Sequence, residues 1–293
     1  MKIGIIGQGF VGSAIKAGLK NFYDIRTYDI DESRCNSTHQ AVCYESDIIF
    51  VCLPTPMRKD GSCDTRMLEF AIDKAYNVLK DEHKIPKHSD FLNKQNHKKI
   101  FVIKSTVPPG TTARIASSYK GIDICFSPEF LTEANSFEDF KNQSRIIIGG
   151  PRPATGTVKQ MFRKAFPTIP IVKTGTKTAE MVKYFTNCFL ATKVTFANEM
   201  YDICTAANVD FDKVTEYALH DKRIGNSHLT VPGPDGDRGF GGHCFPKDTK
   251  AIVYFAKTLG IDAEVLKSVL NKNDKIRSDR DWEKMKGRAI SED

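Results

Sequence analysis

The 293-residue sequence predicts an α/β fold, in which a doubly wound parallel sheet is followed by a long central helix and a small all-α domain. In the first half, short runs of β-branched residues alternate with helical patterns, which is typical of a parallel sheet buried on both faces. Beyond residue 175 the strand-like runs end and helical spacing takes over. We therefore expect an α/β domain over 1–175, a helical domain over 176–271 and a charged tail over 272–293.

Seven apolar runs in the first domain are predicted strands. They are Lys2–Ile6, Ile25–Tyr28, Ile48–Cys52, Ile100–Ile103, Ile122–Phe126, Ile146–Ile148 and Ile169–Lys173. Apolar spacing predicts helices between several of them, including Val11–Lys20 and Met67–Lys80. The polar, lysine-rich stretch 81–99 is expected to be a surface excursion before the fourth strand.

The second domain is predicted to begin with one long helix. Residues 179–207 contain neither Gly nor Pro, and apolar side chains recur there at helical spacing. They cover more than one stripe, so we expect this helix to be buried against several neighbours, a second subunit among them. Shorter helices are predicted at 212–220, 249–259 and 263–271, with a Gly- and Pro-rich loop over 224–246. The charged tail is expected to pack poorly.

Composition excludes several classes of protein. Apolar residues make up 40% and charged residues 27% of the chain, as in an ordinary globular protein, and no run reaches the ~18–20 apolar residues of a membrane span. The net charge of +7 is scattered, so neither nucleic acid nor a membrane is an expected partner. The eight cysteines form no CxxC pair and have no zinc-finger spacing. We expect no metal site, and reduced thiols in the cytoplasm.

The sequence GQGFVG joins the first predicted strand to the first predicted helix. Gly7, Gly9 and Gly12 have the spacing of a Rossmann turn, whose backbone approaches a pyrophosphate. Asp29 ends the second predicted strand, where a carboxylate can bind both ribose hydroxyls and repel a 2′-phosphate. These features favour NAD over NADP, although the nearby Arg34 keeps NADP possible. A purely structural glycine-rich turn is the alternative.

Three polar pairs are spaced four residues apart, which would place both members on one face of a helix. They are Glu129/Glu133, Lys183/Asn187 and Cys244/Asp248. Each pair alone has a structural explanation: acids favour a helix N-terminus, polar residues form a solvated face, and free cysteines fill cores.

Together the pairs supply the groups for two successive oxidations. A cysteine can add to an aldehyde and lead to a thioester that water cleaves. A lysine and an amide can hold the oxyanion, and a carboxylate can activate water. One alcohol would then become one acid, with two NAD reduced.

Eight motifs, in order along almost the whole chain, resemble those of the nucleotide-sugar dehydrogenase family. They are GQGFVG (7–12), PTPMRKDGSCD (54–64), KSTVPPGTT (104–112), SPEFLTE (127–133), SRIIIGG (144–150), AEMVKYFTNCFLATKVTFANE (179–199), DKRIG (221–225) and GFGGHCFPKDT (239–249). The ending CFPKDT resembles the UDP-glucose branch of the family more than the N-acetylhexosamine branches.

The resemblance implies specific roles. Cys244 would be the nucleophile and Asp248 its acid–base neighbour, Lys183 and Asn187 would stabilise oxyanions, Glu129 would act as a base, and Thr106 would position water. The implied cofactor contacts are Gly7, Gly9, Phe10, Val11, Gly12, Asp29, Arg34, Thr55, Glu133 and Lys247. The implied substrate contacts are Glu129, Phe130, Leu131, Lys183, Asn187, Arg223 and Gly241. The all-α domain would be a dimerisation domain with the long helix at its core, and Arg223 would contact the sugar nucleotide across the dimer interface.

One departure and several alternatives remain. The family usually carries a third domain that covers the substrate nucleotide, and the 22 residues from Lys272 cannot build it. UDP-glucose is the expected substrate, with GDP-mannose or a UDP-N-acetylhexosamine as alternatives. A two-electron 6-phosphogluconate or β-hydroxyacid dehydrogenase would share the Rossmann domain, the long helix and a Lys-x-x-x-Asn pair, but would not need Cys244. A truncated, non-catalytic NAD-binding or dimerisation module is the last alternative.

Overall fold

The computed structural model describes residues 1–81 and 98–292. The chain divides into two compact units. The first, here called the sheet unit, comprises Met1–Thr55 and Thr65–Lys183; the second, the helical unit, comprises Pro56–Asp64 and Tyr184–Asp293. The predicted surface excursion over 81–99 falls, apart from residues 81, 98 and 99, outside the described residues.

The sheet unit is built on seven strands in the order β2-β1-β3-β4-β5-β6-β7. The strands are β1 (Lys2–Ile6), β2 (Asp24–Tyr28), β3 (Ile48–Val51), β4 (Lys99–Ile103), β5 (Ile122–Phe126), β6 (Ile146–Gly149) and β7 (Ile171–Thr174). All seven predicted strands are confirmed to within two residues at either end. Every neighbouring pair is parallel except β5 and β6, which are antiparallel.

The antiparallel pair departs from the predicted all-parallel sheet. Between β5 and β6 the chain carries a single six-residue helix, α5 (Ser136–Lys141). A parallel neighbour requires a long crossover, usually through a full helix, and this segment does not provide one. The two strands share one register pair, Phe126 with Gly149.

The sheet is buried on both faces, as its apolar runs predict. Alternate residues of β3 belong to different apolar clusters: Ile48 and Phe50 to one, Ile49 and Val51 to the other. The first cluster includes α1 (Phe10–Leu19) and α6 (Arg152–Ala165). The second includes α2 (His39–Glu45), α3 (Arg66–Lys80) and α4 (Thr111–Ser117).

The long helix is confirmed as α7 (Thr176–Ala206), which begins in the sheet unit and continues into the helical unit. The helical unit also contains α8 (Phe211–Ala218), α9 (Phe245–Thr258) and α10 (Glu264–Ile276). Helix α9 begins four residues before its predicted start, because Pro246 occupies the first turn, where its fixed φ suits a helix. Among the described residues, none of the helices is both long and apolar enough to cross a membrane.

The charged tail does not pack poorly, so that expectation is wrong. Its first five residues complete α10, and Trp282 is 2% exposed. The backbone of Met57 then pairs with the tail: its N–H donates to the Ala289 carbonyl at 2.8 Å, and its carbonyl accepts from the Ser291 N–H at 2.7 Å. Charge density suggested solvation, but the tail's charges are neutralised by partners such as the Arg277–Asp235 pair at 2.7 Å.

Candidate active site

The glycine-rich turn after β1 has the geometry of a phosphate-binding turn. Gly7 has a φ of +93°, and a Cβ added to Gly12 would come within 2.0 Å of the Gly7 carbonyl oxygen. Helix and turn therefore pack too closely for any side chain at Gly12. A Cβ added to Gly9 would meet nothing within 4 Å. Gly9 is the N-cap of α1, so the N–H groups of the first helical turn face a position with no capping side chain.

Asp29 is fixed beside this turn. Its carboxylate accepts hydrogen bonds from the backbone N–H groups of Gln8, at 2.5 Å, and Asp31, at 3.0 Å. Arg34 pairs with Asp31 at 2.9 Å. The open space at Gly9, the helix end and the oriented carboxylate fit the pyrophosphate and ribose of a dinucleotide.

The loops that follow β3 and β4 are tied together at the carboxyl edge of the sheet. The hydroxyl of the buried Thr55 donates to the Thr106 carbonyl at 2.7 Å. The Leu53 N–H donates to the Ser105 hydroxyl at 3.1 Å. Ligands of doubly wound sheets bind outside this edge, so both loops lie on the side of the sheet where a ligand would be expected.

Glu129 is a buried carboxylate held by a lysine that the sequence analysis missed. Lys104 lies 3.0 Å from the Glu129 carboxylate and also donates to the Pro128 carbonyl at 3.1 Å. Both side chains are about nine-tenths buried. Lys104 belongs to the KSTVPPGTT motif and directly follows β4, so its place at the carboxyl end of a buried strand was the available signal.

Lys183 joins this cluster from α7. Its ammonium donates to the Glu129 carbonyl and lies 5.5 Å from the centroid of the Phe130 ring. Arg145 lies 4.2 Å from the same centroid. Lys183 is 6% exposed, so the alternative of a solvated face is excluded for it. Two lysines therefore flank Glu129, one at its carboxylate and one at its carbonyl.

The predicted helical pairing of Glu129 with Glu133 is not formed. Residues 127–132 are not helical, and Glu133 is exposed whereas Glu129 is buried. The physical reason lies in the carbonyls: those of Pro128 and Glu129 accept from lysine side chains rather than from backbone N–H groups four residues on. The Glu129 carboxylate also accepts from the next N–H, that of Phe130, which competes with helix formation.

A second missed residue, Glu180, braces the loop that carries Thr106. Its carboxylate accepts from the N–H groups of Gly110, at 2.6 Å, and Thr112, at 2.7 Å, at the start of α4. Glu180 is fully buried, and this burial raises its pKa, while the two hydrogen bonds oppose the rise. The available signal in the sequence was an acidic residue within the apolar helical pattern of α7.

In the helical unit, Cys244 lies directly before α9 as its N-cap, and Asp248 is one turn further on. The Asp248 N–H donates to the Cys244 carbonyl at 2.9 Å, which confirms the predicted helical spacing. Asp248 is 1% exposed. Its carboxylate accepts from the Asn187 amide at 2.6 Å and from the Lys247 ammonium at 2.5 Å.

The charges in this network keep Lys247 protonated. Burial favours the neutral amine of Lys247 and so lowers its pKa. The charge of Asp248, together with Cys244 and Cys63, outweighs burial, and the net effect is a raised pKa. Lys247 therefore remains a cation in the first turn of α9. Cys244 therefore lies at the N-terminus of α9 and interacts electrostatically with this cation. Burial raises the pKa of the neighbouring Cys188 to about 12, so that thiol stays neutral.

Three predicted substrate contacts remain to be placed, namely Arg223, Leu131 and Gly241. Arg223 is 90% exposed and pairs with Asp221, its Nε lying 2.9 Å from a carboxylate oxygen. Leu131 packs against the first apolar cluster of the sheet. Gly241 lies in the loop directly before Cys244.

Comparisons with known families match both units. Residues 34–166 match the NAD binding domain of the UDP-glucose/GDP-mannose dehydrogenase family, and residues 177–275 match the central domain of that family.

Individual relatives match the chain over 94% of its length. UDP-glucose 6-dehydrogenase AglM of Haloferax volcanii is 32% identical over 94% of this chain and 70% of its own length. UDP-glucose 6-dehydrogenase TuaD of Bacillus subtilis is 31% identical over 94% of this chain, which spans 63% of TuaD. A UDP-glucose dehydrogenase structure from Pyrobaculum islandicum superposes with a TM-score of 0.80 at 28% identity, covering 94% of this chain and 68% of that one. The predicted fold class is confirmed, and NAD is the cofactor.

Proposed function

Because the chain belongs to the UDP-glucose/GDP-mannose dehydrogenase family, we propose that it oxidises UDP-glucose to UDP-glucuronate, with two NAD reduced. The observation that carries this proposal is the place of Cys244, at the N-terminus of α9 and one turn before the buried Asp248. Oxidation of an alcohol alone needs no nucleophile, whereas oxidation of an aldehyde to an acid through a thioester does.

Bound NAD supplies a hydride acceptor for each of the two oxidations. In the first, the primary alcohol becomes an aldehyde, and Asp248 accepts the hydroxyl proton. The contacts of Asp248 with Asn187 and Lys247 support this role because they hold its carboxylate in one orientation.

The second oxidation begins when the Cys244 thiolate forms a C–S bond with the aldehyde carbon. The carbonyl π electrons move to oxygen, and Lys183 and Asn187 hold the resulting oxyanion. Loss of hydride from this thiohemiacetal leaves a thioester on Cys244.

Hydrolysis completes the reaction. Thr106 positions a water molecule and Glu129 takes its proton as the water oxygen attacks the thioester carbon. The C–S bond breaks and Cys244 leaves as a thiolate. The site returns to its starting state once Asp248 and Glu129 release the protons they took up to solvent and the two NADH have left. Lys104 supports this role because it keeps a cation against the buried Glu129 carboxylate.

All eight cysteines are free thiols, which supports the reducing cytoplasm as the compartment.

The first expected result is stoichiometric: the protein with NAD and UDP-glucose should release two NADH per sugar consumed, with UDP-glucuronate as product. Absorbance of NADH and chromatography of the nucleotide sugars measure both quantities. GDP-mannose and UDP-N-acetylhexosamines are run in parallel, and faster turnover of either would reassign the sugar. One NADH per sugar would favour a two-electron dehydrogenase. Normal NAD binding without turnover of any of these would favour a non-catalytic module.

The proposed partner of the chain is a second copy of itself, bound through α7. Four large apolar side chains on this helix are more than half exposed in the single chain: Phe185, Phe189, Phe196 and Ile203. Their spacing of four and seven residues places them on one face. The single chain leaves this face of the helix uncovered, and an apolar stripe of this kind typically marks a protein interface. It therefore fits the expectation that a second subunit is among the neighbours of α7.

The second expected result concerns this stripe. Replacing Phe189 and Phe196 together by glutamate should convert a dimer to a monomer in analytical ultracentrifugation, because four buried charges would be added per symmetric interface. Tyr217→Glu is the matched control, since Tyr217 is 63% exposed on α8 rather than α7. A wild-type chain that is monomeric at micromolar concentration would contradict the proposal.

A further inference from the structure

The loop directly before Cys244 is held by side chains from distant parts of the helical unit. This glycine loop, defined as residues 238–242, makes its first contact with α7. The Gly239 N–H donates to the Asn198 carboxamide at 3.3 Å, and Arg238 donates to the same oxygen at 3.1 Å. Asn198 is 1% exposed.

Asn273, near the end of α10, binds the middle of the loop. Its carboxamide oxygen accepts from the Phe240 N–H at 2.7 Å, and its nitrogen donates to the Phe240 carbonyl at 3.0 Å. Asn273 is 2% exposed, so solvent does not compete for these bonds. The side chain thus satisfies both backbone groups of one loop residue, as a neighbouring strand would.

Asp281 binds the end of the loop. Both of its carboxylate oxygens lie within hydrogen-bonding distance of the Gly242 N–H, at 2.9 and 3.1 Å. The side chain of Arg277, 3% exposed, lies 3.6 Å from the same carboxylate. A Cβ added to Gly241 would approach Asp281 and Arg277 to 2.4 Å each. Glycine at position 241 thus leaves room for the ends of the Asp281 and Arg277 side chains in their present positions.

We propose that Asn273 and Asp281 are positioning residues for Cys244. This inference rests on the proposed function, in which Cys244 is the nucleophile. Gly239 and Gly242 both have positive φ, and glycine loses more backbone freedom on ordering than any other residue. Without these bonds the loop would sample several conformations, and Gly242 is only two residues from the thiol. Misplacement of a reacting group by about 1 Å can cost about a hundredfold in rate.

The experiment compares Asn273→Ala and Asp281→Ala with the wild type. Asp281→Asn is the rescue variant, because a carboxamide oxygen can still accept from the Gly242 N–H. Asp279→Ala is the matched control: the Asp279 carboxylate lies in the same segment but pairs with the exposed Lys284 at 2.8 Å. Two quantities are measured, namely kcat and KM with NAD and UDP-glucose, and the rate of Cys244 alkylation by iodoacetamide, read by peptide mass spectrometry.

Both alanine variants should lose about 10- to 100-fold in kcat, with the KM for NAD unchanged. Cys244 alkylation should slow at least about threefold at neutral pH and approach the wild-type rate in alkaline buffer, because a displaced thiol loses the stabilisation of its thiolate by the helix N-terminus. Asp281→Asn should recover most of both losses, and Asp279→Ala should match the wild type.

A melting temperature that falls while kcat and Cys244 alkylation stay at wild-type values would overturn the inference, since the residues would then be merely structural. If Asn273→Ala does not fold, Asp281→Ala decides the matter. The Asp281 side chain is 28% exposed, so its removal should destabilise the fold less. Alkylation separates the two proposals. Slower Cys244 alkylation in the alanine variants, combined with a wild-type chain that turns over no nucleotide sugar, would support the positioning role while contradicting the proposed function.

Discussion

Replacing Cys244 by serine is expected to abolish complete oxidation, lowering the rate of UDP-glucuronate formation by at least about a thousandfold. A serine hydroxyl is almost fully protonated near neutral pH, and neither Lys247 nor the start of α9 can change that enough to make it a comparable nucleophile. The first oxidation does not require the thiol. The measured quantities are NADH per sugar and the nucleotide-sugar products after a single turnover.

The control for this variant is Cys188→Ala. Burial keeps the Cys188 thiol neutral, with a pKa of about 12, so its removal should leave the stoichiometry at two NADH per sugar. Mass spectrometry of a quenched wild-type reaction should find the sugar nucleotide attached to the peptide containing Cys244. Full two-step turnover by Cys244→Ser would remove the covalent mechanism from consideration.

Strand positions were predictable because their signal is local. A strand such as Ile48–Val51, with all four residues buried, needs an unbroken apolar run, and such a run is visible without knowledge of its neighbours. Direction is a different matter. Whether β6 runs with or against β5 depends on the path of residues 127–145, and composition does not encode that path.

The sequence also predicted which residue types would serve the proposed reaction, but not their partners. Asp248 was predicted as an acid–base group, whereas its contact with the Lys247 ammonium follows from rotamers and burial. Lys104 was overlooked because its one signal, a lysine at the end of a buried strand, does not reveal a partner, and Glu129 lies 25 residues further along the chain. The pairing of Lys247 with Asp248 depends on side-chain direction, and that of Lys104 with Glu129 depends on a contact between residues distant in sequence. Hydrophobic periodicity reports neither.

The tail shows the opposite error, in which a real compositional signal was misread. Charged residues are usually solvated, so the run from Lys272 indicated poor packing. Arg277 is nevertheless nearly fully buried, because Asp235, Asp237 and Asp281 surround its guanidinium. Burial lowers the pKa of Arg277, but these carboxylates, Asp235 foremost, outweigh it and raise that pKa. Two of these carboxylates, Asp235 and Asp237, lie about 40 residues before Arg277 in the sequence but beside it in space.

Asp248→Ala is expected to have the second large effect, and on two properties at once. It leaves the Lys247 ammonium buried without its carboxylate, which should lower the free energy of unfolding by about 3–5 kcal/mol. It also removes the acceptor for Asn187 and the proposed acid–base group, so turnover should fall at least about a hundredfold. Asp248→Asn keeps the side-chain shape and a hydrogen-bond acceptor, and should be less destabilised but equally impaired in turnover.

A double-mutant cycle separates the ion pair from the chemistry. Lys247→Met alone leaves Asp248 as an unpaired buried carboxylate, whereas Lys247→Met with Asp248→Leu leaves neither charge. The double variant should therefore be more stable than the sum of the single effects implies, with a coupling of about 1–3 kcal/mol in urea unfolding. Additive single effects would mean that the pair contributes nothing to folding.

The pH dependence gives an independent check on the same pair. The pKa of Lys247 is raised in the folded protein above its unfolded value of about 10.4, so protonation of Lys247 favours the folded state. Its contribution is therefore complete below that unfolded pKa and is lost as the pH rises through the folded pKa. Urea unfolding across the alkaline range should show the wild type losing more stability than Asp248→Asn, in which the carboxylate that raises the pKa is absent. Parallel curves for the two proteins would show that Asp248 does not stabilise the Lys247 cation.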